Sequence, residues 1–210
     1  MRPIGDLRIV HADDRFVVVD KPAWLLSVPG KAEPDCVADR VATLFPNATG
    51  PLVVHRLDME TSGLLVLGLD PDAQRDLSAQ FEARIVEKAY VALLAGDPLP
   101  TDRGVIDLPL RPDLDRRPYQ IVDPVHGRPA RTAWRTLAHE IDRLRIAFEP
   151  ETGRTHQIRV HAALGLGRPI VGDSLYGGPP ADRLMLHAER LSFLAPGTSR
   201  RVEFVSPAPF

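Results

Sequence analysis

The stretch Val54-His55-Arg56-Leu57-Asp58-Met59-Glu60-Thr61-Ser62-Gly63 is a polar break between two apolar runs, Leu52-Val53-Val54 and Leu64-Leu65-Val66-Leu67. Short apolar runs bounded by polar residues read as buried strands, so the break reads as a tight loop joining two of them. Few options remain for the charges it carries. Arg56 and Asp58 on such a loop must be solvated, paired or used in chemistry, because an unpaired charge beside a core is costly. From these residues alone, an ion pair that merely holds the loop and a working carboxylate both stay open.

The rest of the chain supplies strands clustered between a few helices. Phe16-Val17-Val18-Val19 reads as a buried strand stopped by Lys21-Pro22, and Val37, Val41, Leu44 and Phe45 recur at helical spacing until Pro46. Asp70-Pro71 predicts a helix start, with aspartate as cap and proline at the first helical position. Ala73, Leu77, Phe81 and Ile85 form its apolar stripe. Residues 90–94, 131–137, 144–148 and 202–205 read as strands, the second alternating by two as a half-exposed strand does. Residues 154–164 read as a helix ending at Gly165. Such clustering points to the α+β class with a mixed, largely antiparallel sheet. No repeat or long polar linker divides the chain.

Composition narrows the function classes. At 210 residues and 44% hydrophobic, the chain can bury one substantial core or two small fused lobes. No run of about 18 apolar residues occurs, and residues 1–6 lack the apolar stretch of a signal peptide, so a cytoplasmic protein is expected. Cys36 is the only cysteine, which excludes an internal disulfide and a cysteine-based zinc site within one chain. It reads as a small apolar filler. A net charge of −2 argues against a simple polyanion binder. The basic residues, however, are 23 arginines against 3 lysines, and arginine is the better phosphate fork and stacking cation. Arg111, Arg116, Arg117, Arg128, Arg131 and Arg135 fall in one stretch, offset by Asp113, Asp115 and Asp123. That stretch is the expected nucleic-acid face. A compositional bias, visible also in 21 prolines, is the competing reading.

The string HRLDMETSG resembles the signature loop of the RluA family of pseudouridine synthases, whose aspartate is the catalytic residue. Three further segments are similar to family motifs in the same order and approximate spacing: Glu87-Lys88-Ala89-Tyr90-Val91-Ala92, then residues 152–161 (TGRTHQIRVH), then residues 169–177 (PIVGDSLYG). The match runs from about Asp14 to the C-terminus. Arg117-Pro118-Tyr119-Gln120 and Ser27-Val28-Pro29-Gly30 resemble the family's short type, which lacks an S4 RNA-binding domain and modifies both large-subunit ribosomal RNA and the anticodon stem-loop of transfer RNA. One departure stands out: after Lys-Pro-Ala most relatives carry glycine, and this chain has Trp24.

The resemblance implies an α+β pseudouridine synthase fold, a long bent sheet flanked by helices with a central catalytic cleft. It places the catalytic domain at 14–210, after an N-terminal extension at 1–13, with no S4 domain. It assigns Asp58 as base or nucleophile, Arg154 as its cationic partner and Tyr90 as the residue packing against uracil. Arg56 would fill the place of an extruded uridine, and Arg116, Arg117 and Arg128 would hold the RNA backbone. His55, Thr61 and Gly63 would fix the loop. The expected partner is a ribosomal or transfer RNA stem-loop, met by a monomer. Isomerisation of a uridine needs no redox or group-carrying cofactor, and none is expected.

Two rivals remain. A metal-dependent hydrolase would use His55 with Asp58 and His156 with His161. The latter pair is five residues apart, so on a helix of 3.6 residues per turn they diverge by about 140°, unlike an i, i+4 ligand pair, and no metal site is assigned. A non-catalytic RNA-binding module would share the arginine stretch but has no reason to hold Asp58.

Overall fold

The first hairpin turns on Asp13, whose carboxylate accepts the backbone N–H groups of Arg15 and Phe16 at 2.8 and 2.9 Å. The computed structural model describes residues 7–30, 33 and 35–210. In chain order its elements begin with β1 (Arg8–Ala12), β2 (Phe16–Lys21), α1 (Val37–Leu44), β3 (Ser62–Gly68), α2 (Pro71–Glu82) and β4 (Glu87–Ala95). They continue with β5 (Arg103–Asp107), β6 (Leu110–Pro112), β7 (Gln120–Val122), β8 (Arg131–Glu140) and β9 (Arg143–Pro150). Helix α3 (Gln157–Val160) runs on into a π-helical turn at His161–Gly165, and β10 (Leu186–Leu194) and β11 (Arg201–Val205) close the chain. The α+β expectation is met. Residues 1–6 of the expected extension lie outside the described residues; residues 8–12 of it form β1. Among the described residues, no helix is long and apolar enough to cross a membrane.

The chain forms two compact units, Met1–Lys88 with Ala188–Pro209, and Ala89–His187 with Phe210. In the first, strands follow the order β1-β2-β3-β10, with β11 paired to β10. Val17, Val18 and Val19 are wholly buried, as β-branched residues are in a strand paired on both edges. The antiparallel register of β2 and β3 runs from Phe16 opposite Gly68 to Lys21 opposite Gly63, so Lys21 ends where the polar loop enters β3. Helix α2 packs Leu77 on a core of Phe16, Val18, Leu64, Val66, Leu191 and Phe193. Its Asp70 cap accepts the N–H groups of Asp72 and Ala73, with Pro71 in the first turn. The buried Gln80 amide binds both backbone groups of Leu194, fixing α2 to β10.

In the second unit the order is β4-β9-β8-β5, all antiparallel. Leu94, Trp134, Ile146, Phe148, Ile158, Ile170 and Leu186 share its core. Strands β6 and β7 form a separate hairpin. Arg159 and Asp173, 1% and 0% exposed, make a bidentate pair at 2.8 and 2.7 Å. Removing either partner alone strands a buried charge, at a cost of about 3–5 kcal/mol.

Three expectations need correction. Leu52-Val53-Val54 is not a strand, and only Val53 bridges to Leu67. Pairing with β3 stops at that bridge and at the Gly68 N–H, which donates to the Leu52 carbonyl at 2.9 Å, because the Val66 N–H goes to the His55 ring and the Val53 carbonyl accepts the Gln74 amide at 2.8 Å. The third-motif helix starts at Gln157 rather than 154, because His156 takes a left-handed conformation, φ 54°. Ile85 lies beyond the end of α2 and is exposed, so the stripe stops at Phe81.

Candidate active site

The polar loop is held from one side by the turn that follows β2. Ser27 Oγ donates to the Leu57 carbonyl at 2.8 Å and accepts the Leu57 N–H at 3.0 Å. Two residues on, the Met59 carbonyl accepts the Trp24 N–H at 2.8 Å and Lys21 Nζ at 3.0 Å. Lys21 is fully buried and also donates to the carbonyls of Pro22 and Leu25, so its three ammonium protons face three carbonyl oxygens. Asp58 thus sits between two backbone positions that are pinned on either side. Its own carbonyl accepts the Thr61 N–H at 3.1 Å, closing the loop.

The other end of the loop is tied to β3 and α2. His55 Nε2 accepts the Val66 N–H at 3.2 Å, and its ring stacks on Phe81 with centroids 4.3 Å apart. The residue is half-buried by surface area, but its ring has protein on every side. Burial, helped by the nearby Lys88 charge, pushes its pKa down to about 3. The ring is therefore neutral, with Nε2 the acceptor and the proton on Nδ1. Lys88 lies with Nζ 5.8 Å from the centre of Phe81, its pKa lowered by burial and then by Arg84.

Gly63 enters β3 at φ 114°, where a Cβ would overlap the Ala188 backbone of β10. Thr61 is 2% exposed, and among the described residues its hydroxyl has no hydrogen-bond partner. Asp58 is half-buried, and among the described residues no hydrogen bond or ion pair engages its carboxylate. Arg56 is exposed and equally unengaged. The loop is thus anchored by its backbone and by His55, while the side chains of Arg56 and Asp58 make no hydrogen bond or ion pair among the described residues.

The second unit carries the other expected residues. Tyr90 is half-buried on β4, opposite Phe148 of β9. Arg154 gives its backbone N–H to Gln157 Oε1 at 2.9 Å and its Nε–H to the Pro129 carbonyl at 3.1 Å. Gln157 in turn binds Thr132 Oγ1 and the Arg131 carbonyl, so α3 is fastened to β8 by a buried amide that sequence patterning did not single out. Arg116 and Arg117 are exposed on the loop of the β6–β7 hairpin, and Arg128 is exposed at its base, where its backbone bridges to Leu110.

Those arginines are not equivalent. Arg116 Nε donates to Asp113 at 2.9 Å and its guanidinium lies 5.9 Å from the Tyr119 ring. Burial pushes the Asp113 carboxyl up, but Arg116 and the N–H groups of Asp115 and Arg116 outweigh it and leave it lowered. Arg111 is likewise spent on Asp123, whose carboxyl it holds well below the usual range together with the N–H groups of His126 and Val125. Among the described residues, the side chains of Arg117 and Arg128 make no hydrogen bond or ion pair.

The metal reading finds no support in its histidines. His161 is fully buried, with Nδ1 2.9 Å from Thr132 Oγ1 and Nε2 3.2 Å from the Leu108 carbonyl. His156 Nδ1 is 2.8 Å from the Tyr176 hydroxyl, which also accepts the Gln120 N–H. Among the described residues, no three His, Cys, Asp or Glu side chains gather as a ligand set.

Comparison with known proteins gives one answer. Residues 15–164 match the family described as RNA pseudouridylate synthase. The chain is 43% identical to the dual-specificity RNA pseudouridine synthase RluA of Escherichia coli (strain K12), over 97% of this chain and 94% of that protein. The Yersinia pestis protein of the same name is 41% identical, over 96% and 99%. Among solved structures, human RNA pseudouridylate synthase domain containing 1 superposes with a TM-score of 0.82 at 31% identity, covering 100% of this chain and 87% of that one.

Proposed function

The chain belongs to the RNA pseudouridylate synthase family, and from that premise we propose that Asp58 is the residue that opens the glycosidic bond of a uridine extruded from an RNA stem-loop. The isomerisation breaks the bond from ribose C1′ to uracil N1 and makes one from C1′ to C5, with no change in formula. Asp58 acts beside the sugar, either attacking C1′ or removing the C2′ proton. The observation that carries this reading is the way the loop is built: the backbone is anchored at Leu57, at the Asp58 carbonyl and at the Met59 carbonyl, and the carboxylate itself is unengaged among the described residues. A structural ion pair would show the opposite arrangement.

Tyr90 and Arg154 enter as catalytic residues through the second and third motifs, Tyr90 meeting the uracil face and Arg154 contributing positive charge. Arg56, exposed two residues before Asp58, occupies the gap left in the RNA stack, since a guanidinium plane stacks as a base does. Arg117 and Arg128, with Arg116 beside them, meet backbone phosphates. The substrates are stem-loops of ribosomal and transfer RNA, as dual specificity in the similar RluA proteins suggests, and the enzyme works as a cytoplasmic monomer without metal or cofactor. Incubating the purified protein with short stem-loops from each RNA, in EDTA, and mapping pseudouridine by base tests this. Conversion of a loop uridine is expected. No conversion of either RNA, or conversion restored only by a divalent metal on an RNA that stays folded, would count against it.

A further inference from the structure

Trp24 adopts φ 70°, the left-handed region in which glycine is at ease and every side chain is strained. The constraint comes from the neighbouring contacts: its N–H must reach the Met59 carbonyl while Lys21 reaches the same oxygen. A glycine would make that turn without strain. The chain places its largest side chain there instead, one hydrogen bond away from the residue that follows Asp58.

The indole is half-buried and Met59 is 38% exposed. Two large apolar side chains therefore keep exposed surface beside a loop whose other exposed member is Arg56. An aromatic side chain hydrogen-bonded through its backbone to a loop that carries an exposed guanidinium is the chemistry that receives nucleobases, whereas a lipid or protein partner would call for a wider apolar patch. We propose that Trp24, with Met59 at its edge, is a stacking platform for a base of the substrate RNA next to the uridine handled at Asp58. This makes Trp24 an RNA-contacting residue for the reaction, and it rests on the function proposed above.

The test uses intrinsic emission, because the chain has two tryptophans and the other, Trp134, is only 8% exposed. Titrating the wild-type protein with a short stem-loop RNA bearing an unpaired uridine is expected to quench tryptophan emission to saturation, and Trp24→Phe to abolish that change. Trp24→Gly, which removes the strained side chain from the turn, should bind the same RNA about tenfold more weakly, the scale of one lost base stack. Trp24→Phe should recover most of that affinity. Emission that does not respond at saturating RNA, or a Trp24→Gly protein with wild-type affinity and rate, overturns the platform while leaving the proposed reaction intact. A wild-type protein that forms no pseudouridine in any stem-loop overturns the reaction first, and the platform with it.

Discussion

Ser27 and Leu57 exchange two hydrogen bonds through one hydroxyl, which donates to the Leu57 carbonyl and accepts its N–H. Ser27 is 4% exposed, so nothing replaces those bonds when the hydroxyl is removed. Ser27→Ala should cost about 2 kcal/mol, since two buried backbone groups lose their partner. Because Leu57 precedes Asp58, the single-turnover rate should fall even where the variant is fully folded. Urea denaturation and rates measured well below the transition separate the two effects, and an unchanged rate would show that this bracket does not position the carboxylate.

Asp58→Asn keeps the shape of the side chain and removes its charge and basicity. It should melt with the wild type, bind stem-loop RNA with similar affinity, and lose about a thousandfold or more in pseudouridine formation. Retention of even a tenth of wild-type turnover would remove Asp58 from its assigned role.

Thr61 and Gly63 hold the loop by backbone geometry, in ways that make opposite predictions. The Thr61 hydroxyl is buried without a partner among the described residues, so Thr61→Val should leave stability equal or slightly higher. Gly63→Ala should unfold the loop or the whole unit, because its Cβ meets the Ala188 backbone at a positive φ. Thermal melts of both proteins decide this; a destabilised Thr61→Val would mean that the hydroxyl has a partner after all.

His55 ties stability to pH with a definite sign. Its folded pKa, about 3, lies below the ordinary 6.5, so the neutral ring contributes fully above pH 6.5 and the contribution drains as pH falls toward 3. Between pH 6.5 and 5 the wild type should lose about 1–2 kcal/mol from this group, with the partial exposure of the residue favouring the lower figure. Against His55→Gln, which keeps an acceptor for the Val66 N–H and cannot take up the proton, that difference should appear in urea titrations at the two pH values. Equal losses in both proteins would contradict it.

Arg56 and the hairpin arginines should separate binding from chemistry. Arg117→Ala and Arg128→Ala should each flatten the log–log salt dependence of RNA binding by about 0.7–0.9, the value of one phosphate contact, while leaving the saturated rate nearly intact. Arg116→Ala should do less, since its guanidinium is committed to Asp113. Arg56→Ala should instead slow the bound complex at saturating enzyme, by lowering the population of the extruded uridine. The reverse pattern in filter-binding and single-turnover assays would exchange the two assignments.

How far these features could be read from sequence varies with their range. Asp70-Pro71 announced α2 correctly because a cap and a first-turn proline are local signals. The polar loop was equally visible, but Leu52-Val53-Val54 misled, since the run is apolar while the groups that would extend its pairing with β3 are taken by the side chains of His55 and Gln74. Strand β10 went unread because Glu189 and Arg190 interrupt its apolar pattern. The arginine stretch was legible as composition, yet only coordinates show that Asp113 and Asp123 consume Arg116 and Arg111. Lys21 looked like a strand-ending charge, and its three carbonyl partners come from positions up to 38 residues away.

Gly63 rests on Ala188, 125 positions further along the chain. On a ribosome adding about 5–20 residues per second, the strand that backs the loop emerges roughly 6–25 seconds after the loop itself. Throughout that interval a nascent chain carries Asp58 on a loop with no finished seat. Emergence of β10, rather than of the signature residues, is the step at which the loop gains its backing, and a chain halted before residue 187 would contain every signature residue on a loop without its seat.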